Sequence, residues 1–328
     1  MSSATLTAVQ NQLNVYGNAI LMVIGNIGNV LIIIVFGRQH KSACSIYLMS
    51  VAIVNFIFLT INAYFQIFPF DYSSGTMGSI IFCKISAYIL NIFGQIAKTL
   101  LVFACIDRFL ITSDRVNFRA FSTIKRTKYL ICFCFIFWSL FTLHVPIMRT
   151  IVNGRCGASG IYSTLFALLF VGLFPSITSA IFGYLAYHNM RKIQRRVRPI
   201  TQNTNNVNNT FQRRDRDLLV IVLAEVLTHV VTSALYPLIL LETTISQYVV
   251  LHKSIQYSQI ETFILTISYI LLFSNSAAPF YTYFVASKSF QREVKRLIIN
   301  TYRKITGQPL LENASTVNHA SIRGNTHA

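Results

Sequence analysis

The stretch Val15–Phe36, VYGNAILMVIGNIGNVLIIIVF, runs for 22 residues without one charged side chain. As a helix rising 1.5 Å per residue it reaches about 33 Å, enough to cross a hydrocarbon core of about 30 Å. Six further blocks of the same kind follow, at about Ile46–Phe68, Lys84–Leu110, Tyr129–Met148, Ile161–Tyr187, Leu218–Leu241 and Ile260–Val285. Each is expected to be a helix, because lipid offers no partner to an unpaired backbone group. None alternates as the strands of a membrane barrel do. The first block does not read as a cleavable signal peptide. It has no basic start, it is too long, and Arg38 and Lys41 follow it.

The rest of the composition agrees. Of 328 residues, 53% are hydrophobic and only 12% are charged, against roughly 25% charged in a soluble domain. This excludes a soluble enzyme, a secreted disulfide scaffold and a disordered chain. The net charge of +18 is a topology signal rather than a nucleic-acid footprint. Of the 28 Lys and Arg residues, 22 fall in the loops after blocks one, three and five and in the tail, and four (Lys84, Arg149, Arg155, Lys253) fall on the opposite side. The positive-inside rule then puts residues 1–14 outside the cell and the C-terminal tail in the cytoplasm, which needs an odd number of crossings. Residues 15–287 are therefore expected to form an all-α, multi-pass bundle of seven transmembrane helices in the plasma membrane. Residues 288–305 carry Phe290, Val294, Leu297, Ile298 and Ile305 at helical spacing with basic residues between them. They read as an amphipathic helix in the cytoplasmic interface, with anionic membrane lipid as a partner. Residues 306–328 read as a flexible cytoplasmic tail, and the Asn-rich run Gln202–Asn209 as a disordered loop. There is no internal repeat.

A few polar residues interrupt this apolar material. Asp107 and Arg108, in Ala104-Cys105-Ile106-Asp107-Arg108-Phe109, end the third block. A pair at a helix end is often only an interfacial anchor. Arg108 nevertheless stays charged at any relevant pH and needs a partner near the membrane. Asp107 beside it and Asp217 at the start of block six are the candidates. Lys98 lies in the middle of block three, and an intramembrane lysine is a functional-site candidate by default. Glu225 is a possible partner, with Asn275 and Asn55 as neutral ones and a snorkelled lysine as the alternative. His229 reads as a satisfied core residue. No cluster has metal-ligand spacing and no acid–base or nucleophile constellation is present, so neither a metal, nor a cofactor, nor an enzyme is expected.

Taken in order, several residues carry a resemblance. They are Gly28-Asn29-Val30 in block one, Cys83 at the outer start of block three, Asp107-Arg108-Phe109 at its end, Trp138 in block four, Pro175 in block five, Pro237 in block six, and Tyr283 five residues before Lys288. With them the chain resembles a rhodopsin-like (class A) G-protein-coupled receptor over about residues 15–300. The resemblance implies that Asp107-Arg108-Phe109 stands for the family's Asp-Arg-Tyr. It implies a disulfide from Cys83 to Cys156 in the second outer loop; these are also the two cysteines on the oxidising face. It implies an off state in which Arg108 pairs with Asp217. Activation would then swing helix six outward about Pro237 and open a groove for a heterotrimeric G protein, with arrestin as a further partner. The chain departs from the family pattern at Pro279-Phe280, where Asn-Pro is usual, at Asn55, where helix two has Asp, and at Leu235, where helix six has Trp. The loss of that Asp weakens a sodium site.

An extracellular ligand is expected between the outer halves of helices three, five, six and seven. Leu90 stands where amine receptors of the family place an Asp, which argues against an amine; Asn91 is next to it. Glu242 and Glu261 at the tops of helices six and seven, and Asp71 in the first outer loop, offer negative charge, whereas Arg149 and Arg155 oppose it. A short neuropeptide is the favoured ligand, on resemblance to the peptide-binding branch. A chemosensory receptor for a small molecule is the alternative. A secondary transporter is the rival from another class, with Lys98 and Glu225 as its only support.

Overall fold

The computed structural model describes residues 3–38, 42–67, 77–152, 155–158, 161–197, 206–249 and 253–307. Seven helices among these are long and apolar enough to cross a membrane: Thr5–Gly37, Ala43–Ile67, Ser79–Thr112, Ile124–Met148, Thr164–Ile193, Asp215–Val249 and Ile255–Ala277. They pack as one bundle. Its core joins Ile32, Leu48, Val54, Ile96, Leu100, Val222 and Tyr283. The other side of each rod is apolar and uncovered, as at Val23, Ile27, Phe133, Ile136, Leu140, Leu227 and Val231. A soluble protein would bury such faces, whereas a bilayer accepts them. Without a hydrophobic drive between helices in lipid, small residues and interhelical hydrogen bonds hold the bundle. Helix α1 (Ser3–Gly37) and α2 (Ala43–Ile67) are joined by Asn14 to Gln66 at 2.9 Å, Asn62 to Asn18 at 2.9 Å and Asn26 to Thr60 at 2.8 Å.

Helix α3 (Met77–Thr112) runs the height of the bundle, with Cys83 near one end and Arg108 near the other. A short α4 (Val116–Arg119) leads to α5 (Ile124–Phe141), capped by Thr123 accepting from the Arg126 N–H. Trp138 of α5 donates its indole N–H to Thr99 of α3 at 2.8 Å. The fourth block, expected as one helix, is two: α5 stops at Phe141 and α6 (His144–Met148) resumes after Thr142, whose hydroxyl folds back onto the Trp138 carbonyl at 2.6 Å. After it comes an unexpected element, a hairpin of β1 (Arg149–Val152) and β2 (Arg155–Ala158), with Ile151 opposite Cys156. The intervening Asn153-Gly154 is a strong hairpin signal that block-counting passes over.

Two prolines shape the next spans. The fifth comprises α7 (Ile161–Phe166), a π-helical turn (Ala167–Leu173) and α8 (Phe174–Val197). The Phe174 N–H reaches the Leu169 carbonyl, five residues back. This wider turn accommodates Pro175, which has no N–H and whose ring would crowd the carbonyl four residues before it. The sixth span is α9 (Asn206–Ser233) and α10 (Leu235–Val249), broken at Ala234. Pro237 cannot donate to the Ser233 carbonyl, and Thr232 and Ser233 turn their hydroxyls onto carbonyls four residues earlier, which bends helices further. Helix α9 begins a turn into the Asn-rich run expected to be disordered, so Asn206–Asn209 are helical. Extension of an established helix needs no new nucleus.

The seventh span is α11 (Ile255–Ala277), followed by α12 (Pro279–Ala286) with Pro279 in its first turn. Helix α13 (Lys288–Thr306) is capped by Ser287 at one end and ended by left-handed Gly307 at the other. Its Phe290, Val294 and Leu297 are buried, with Phe290 against Phe36 and Tyr283. Ile298, Tyr302 and Ile305 are exposed beside its basic residues, a face suited to an interface. Asp71, residues 202–205 of the Asn-rich run and the tail from 308 onward lie outside the described residues, as do the side chains of Cys156 and Arg155.

Candidate ligand cavity and buried charge cluster

At the Arg108 end of the bundle a salt-bridge cluster is sealed from solvent. Arg108 is 1% exposed. One terminal nitrogen donates to Asp107 at 2.8 Å and reaches Ser42 at 3.5 Å; the other donates to Asp215 of α9 at 3.1 Å. Ser122, just before α5, donates to the second oxygen of Asp107. The cluster thus ties α3 to α9 and to the start of α2. Asp217, expected as the partner, is not in it. Two residues along a helix turn a side chain by about 200°, so Asp217 is only partly buried and faces away while Asp215 points inward. A readable signal existed: Leu218, Leu219, Val222 and Val226 mark the buried face of α9, and stepping back three or four residues from the first two lands on Asp215. Phe109, standing for the family's Tyr, packs on Phe118 and Phe182 at 6.3 and 5.6 Å.

A second polar contact lies deeper. Tyr283 of α12, fully buried, donates its hydroxyl to Glu225 of α9. Lys98, expected as a possible partner of Glu225, is not bonded to it. Nor is Lys98 bonded to Asn55 or Asn275, and it makes no hydrogen bond or ion pair among the described residues. Asn29 donates instead to the Ser276 carbonyl at 3.1 Å, joining α1 to α11. Removing the phenolic donor strands a buried carboxylate, which costs about 1–3 kcal/mol. Tyr283→Phe is therefore expected to lower the unfolding midpoint of the purified protein clearly, and Glu225→Gln, which still accepts the phenol, to lower it much less.

Towards the Cys83 end the bundle opens into a cavity of about 1110 Å³. It runs from Thr7, Gln10 and Lys253 at the mouth to Glu225, His229 and Asn275 at the floor, past Leu90, Asn91, Tyr236 and Tyr269. Leu90 and Asn91 line it, and Asn91 spends a donor on the Ala87 carbonyl at 2.9 Å. Glu242 and Glu261 do not line this cavity. Glu261 is held by Lys253 at 2.8 Å and lines a smaller recess of about 440 Å³, while Glu242 accepts from Tyr257 at 2.9 Å. Sequence reasoning did not foresee this, because Lys253 precedes α11 and reaches Glu261 in its second turn, eight residues on and off any helical spacing. Cys83 is buried and disulfide-bonded, whereas Cys44, Cys105, Cys132 and Cys134 are free thiols.

Seven membrane-spanning helices, a sealed arginine at one end of the third and a deep cavity open at the other define a membrane receptor built around two separated sites. Residues 28–279 match the family described as 7 transmembrane receptor (rhodopsin family), and the chain belongs to that family. It is a multi-pass membrane protein, a receptor and not an enzyme, of the class that takes an extracellular ligand and signals through a G protein. No curated protein matches the chain.

Proposed function

We propose that this receptor stands with residues 1–14 outside the cell, binds a short peptide in the cavity at the Cys83 end and activates a heterotrimeric G protein at the Arg108 end. The observation that carries the two-ended reading is the Arg108–Asp215 bridge at 3.1 Å, which closes α9 against α3 opposite the cavity. Helix α9 leads from that bridge to the break at Ala234 beside Pro237. Outward movement of α9 about this break separates Asp215 from Arg108 and opens a groove for a helix of the G protein. At about 1110 Å³ the cavity lies at the upper end of the range for drug-sized ligands, about 300–1000 Å³, and has room for a short peptide. The Cys83 disulfide is assigned to Cys156, tying the β1–β2 hairpin over the cavity mouth. Closing a loop of roughly 70 residues, it stabilises by about 4 kcal/mol in the chain-entropy model.

The test is purified receptor in lipid nanodiscs with a purified G protein, screened against peptide and metabolite libraries for ligand-dependent nucleotide exchange. Exchange driven by a short peptide is expected. Exchange driven only by small metabolites removes the peptide, and none with any library removes the receptor mechanism. An N-terminal epitope tag is expected to be stained on intact cells; staining only after permeabilisation overturns the orientation.

A further inference from the structure

The charged lining of the cavity is lopsided. Among the described residues that line it, Lys98, Arg149 and Lys253 are basic and Glu225 is acidic. Lys253 is already answered by Glu261 at 2.8 Å, and Glu225 accepts the Tyr283 hydroxyl. Lys98 and Arg149 then face the space with one carboxylate, Glu225, which makes a hydrogen bond to neither of them. Arg149 keeps its Nε buried without a hydrogen bond, and Lys98 has no hydrogen-bond or ion-pair partner among the described residues. Around Lys98 the floor is polar. His229 is 1% exposed, and Asn275 lies next to it. Asn55 and Gln95 line the same floor. A lone ammonium inside a membrane bundle is costly unless an anion answers it. Metal ligation does not account for the cluster, since no group of three His, Cys, Asp or Glu is gathered among the described residues.

Depth matters as well. Lys98 is eight residues beyond Leu90 on α3, about 12 Å further from the mouth, and about 15 Å short of Arg108. A group seated on Lys98 therefore has to be the leading end of an elongated ligand rather than something held at the rim.

We propose that the cavity takes an acidic ligand, whose carboxylate reaches the floor and pairs with Lys98. The ligand's carboxylate oxygens accept from the ammonium and from the amides of Asn55 or Gln95, while Arg149 gives the upper cavity the same sign of charge. This proposal rests on the reading of the cavity as the ligand site, and it reverses the charge that Glu242 and Glu261 suggest from sequence. An acidic peptide, or one entering by its C-terminal carboxylate, meets these requirements; a basic one does not.

The test needs no agonist. The full chain in neutral-lipid nanodiscs is titrated with 4-phenylbutyrate, its neutral analogue 4-phenylbutyramide and the cation 4-phenylbutylamine, and the unfolding midpoint is followed. Saturable stabilisation by the acid and not by the other two is expected in the wild type. In Lys98→Gln the acid's apparent affinity is expected to fall about 10-fold to 100-fold, the range for losing a hydrogen bond to a charged group. In Lys98→Arg it is expected to stay within severalfold. Equal stabilisation by acid and amide, no saturable effect of the acid, or an unchanged affinity in Lys98→Gln overturns the proposal. The wild-type comparison holds even if a variant folds poorly. No G protein is present, so failure here leaves the receptor mechanism standing. Conversely, nucleotide exchange that fails with every library leaves acid binding to be judged on its own.

Discussion

Asp215→Ala is expected to raise ligand-independent signalling by about tenfold or more, whereas Asp217→Ala stays close to wild type. The difference follows from burial. Asp215 accepts from Arg108 at 3.1 Å inside the sealed cluster, and Asp217 does not enter it. Loss of one hydrogen bond to a buried charged group costs about 1.5–3 kcal/mol. The cost falls on the closed state, where α9 lies against α3, because the open state has already parted the two groups. About 1.4 kcal/mol shifts such an equilibrium tenfold, so a receptor resting near 1% active moves to roughly 10% or beyond. Arg108 keeps Asp107 and Ser42 as partners, which is why the protein still folds and why the effect is smaller than for a wholly orphaned arginine. Basal nucleotide exchange, normalised to receptor at the cell surface, measures it. Equal basal activity in the two alanine variants removes the bridge as a latch.

Gly25→Val is expected to abolish surface expression. Gly25 of α1 faces α2 and α11 at a point with no room for a side chain. A methyl placed there lies 2.5 Å from a Leu59 methyl and 2.7 and 2.9 Å from Ala277 Cβ and Cα. A leucine tip can rotate away, but the Ala277 backbone cannot, so the helices have to separate. Overpacking of a well-filled core costs about 1–3 kcal/mol and more when backbone must move. Separation would also stretch the neighbouring Asn29–Ser276 bond and the Asn26–Thr60 bond. Gly17, where the nearest atom to an added methyl is the Ile270 side-chain tip at 3.5 Å, supplies the control: Gly17→Ala is expected to reach the surface normally. Immunostaining of tagged variants on intact cells distinguishes the two.

The legible part of this protein is what bilayer thickness dictates. Uncharged runs of membrane-spanning length have one solution, so Val15–Phe36 and its six successors appear as spans, and the apolar period of residues 288–305 appears as α13. Arg108 was legible for a related reason, since a permanent cation in that setting requires a partner. Which aspartate serves was not legible from the block edge, because the edge marks where lipid ends and not where the helix ends. Helix α9 continues outward past both candidates to Asn206, and rotation about its axis then chooses between them. The Glu225–Tyr283 contact joins residues 58 apart on two helices whose relative depth is set by packing alone. Lys98 and Glu225, which a list of intramembrane charges would pair, both line the cavity floor without bonding, and Glu225 is taken by Tyr283 instead. Glu242 and Glu261 look available in sequence and are occupied in the fold by Tyr257 and Lys253.

The interruption at Ala234 has a mechanical consequence. Nineteen residues separate Asp215 from Ala234, so this part of α9 is a lever arm of about 28 Å. A tilt of about 10° at the fulcrum displaces Asp215 by about 5 Å, while atoms within one turn of the fulcrum travel about 1 Å. Gly172, where an added methyl would sit 2.8 Å from the Pro237 ring, lies against that fulcrum. Under the proposed activation, the cavity has only to nudge one neighbourhood slightly for the opposite face of the bilayer to register a large change, and the gain is set by the length of an uninterrupted rod.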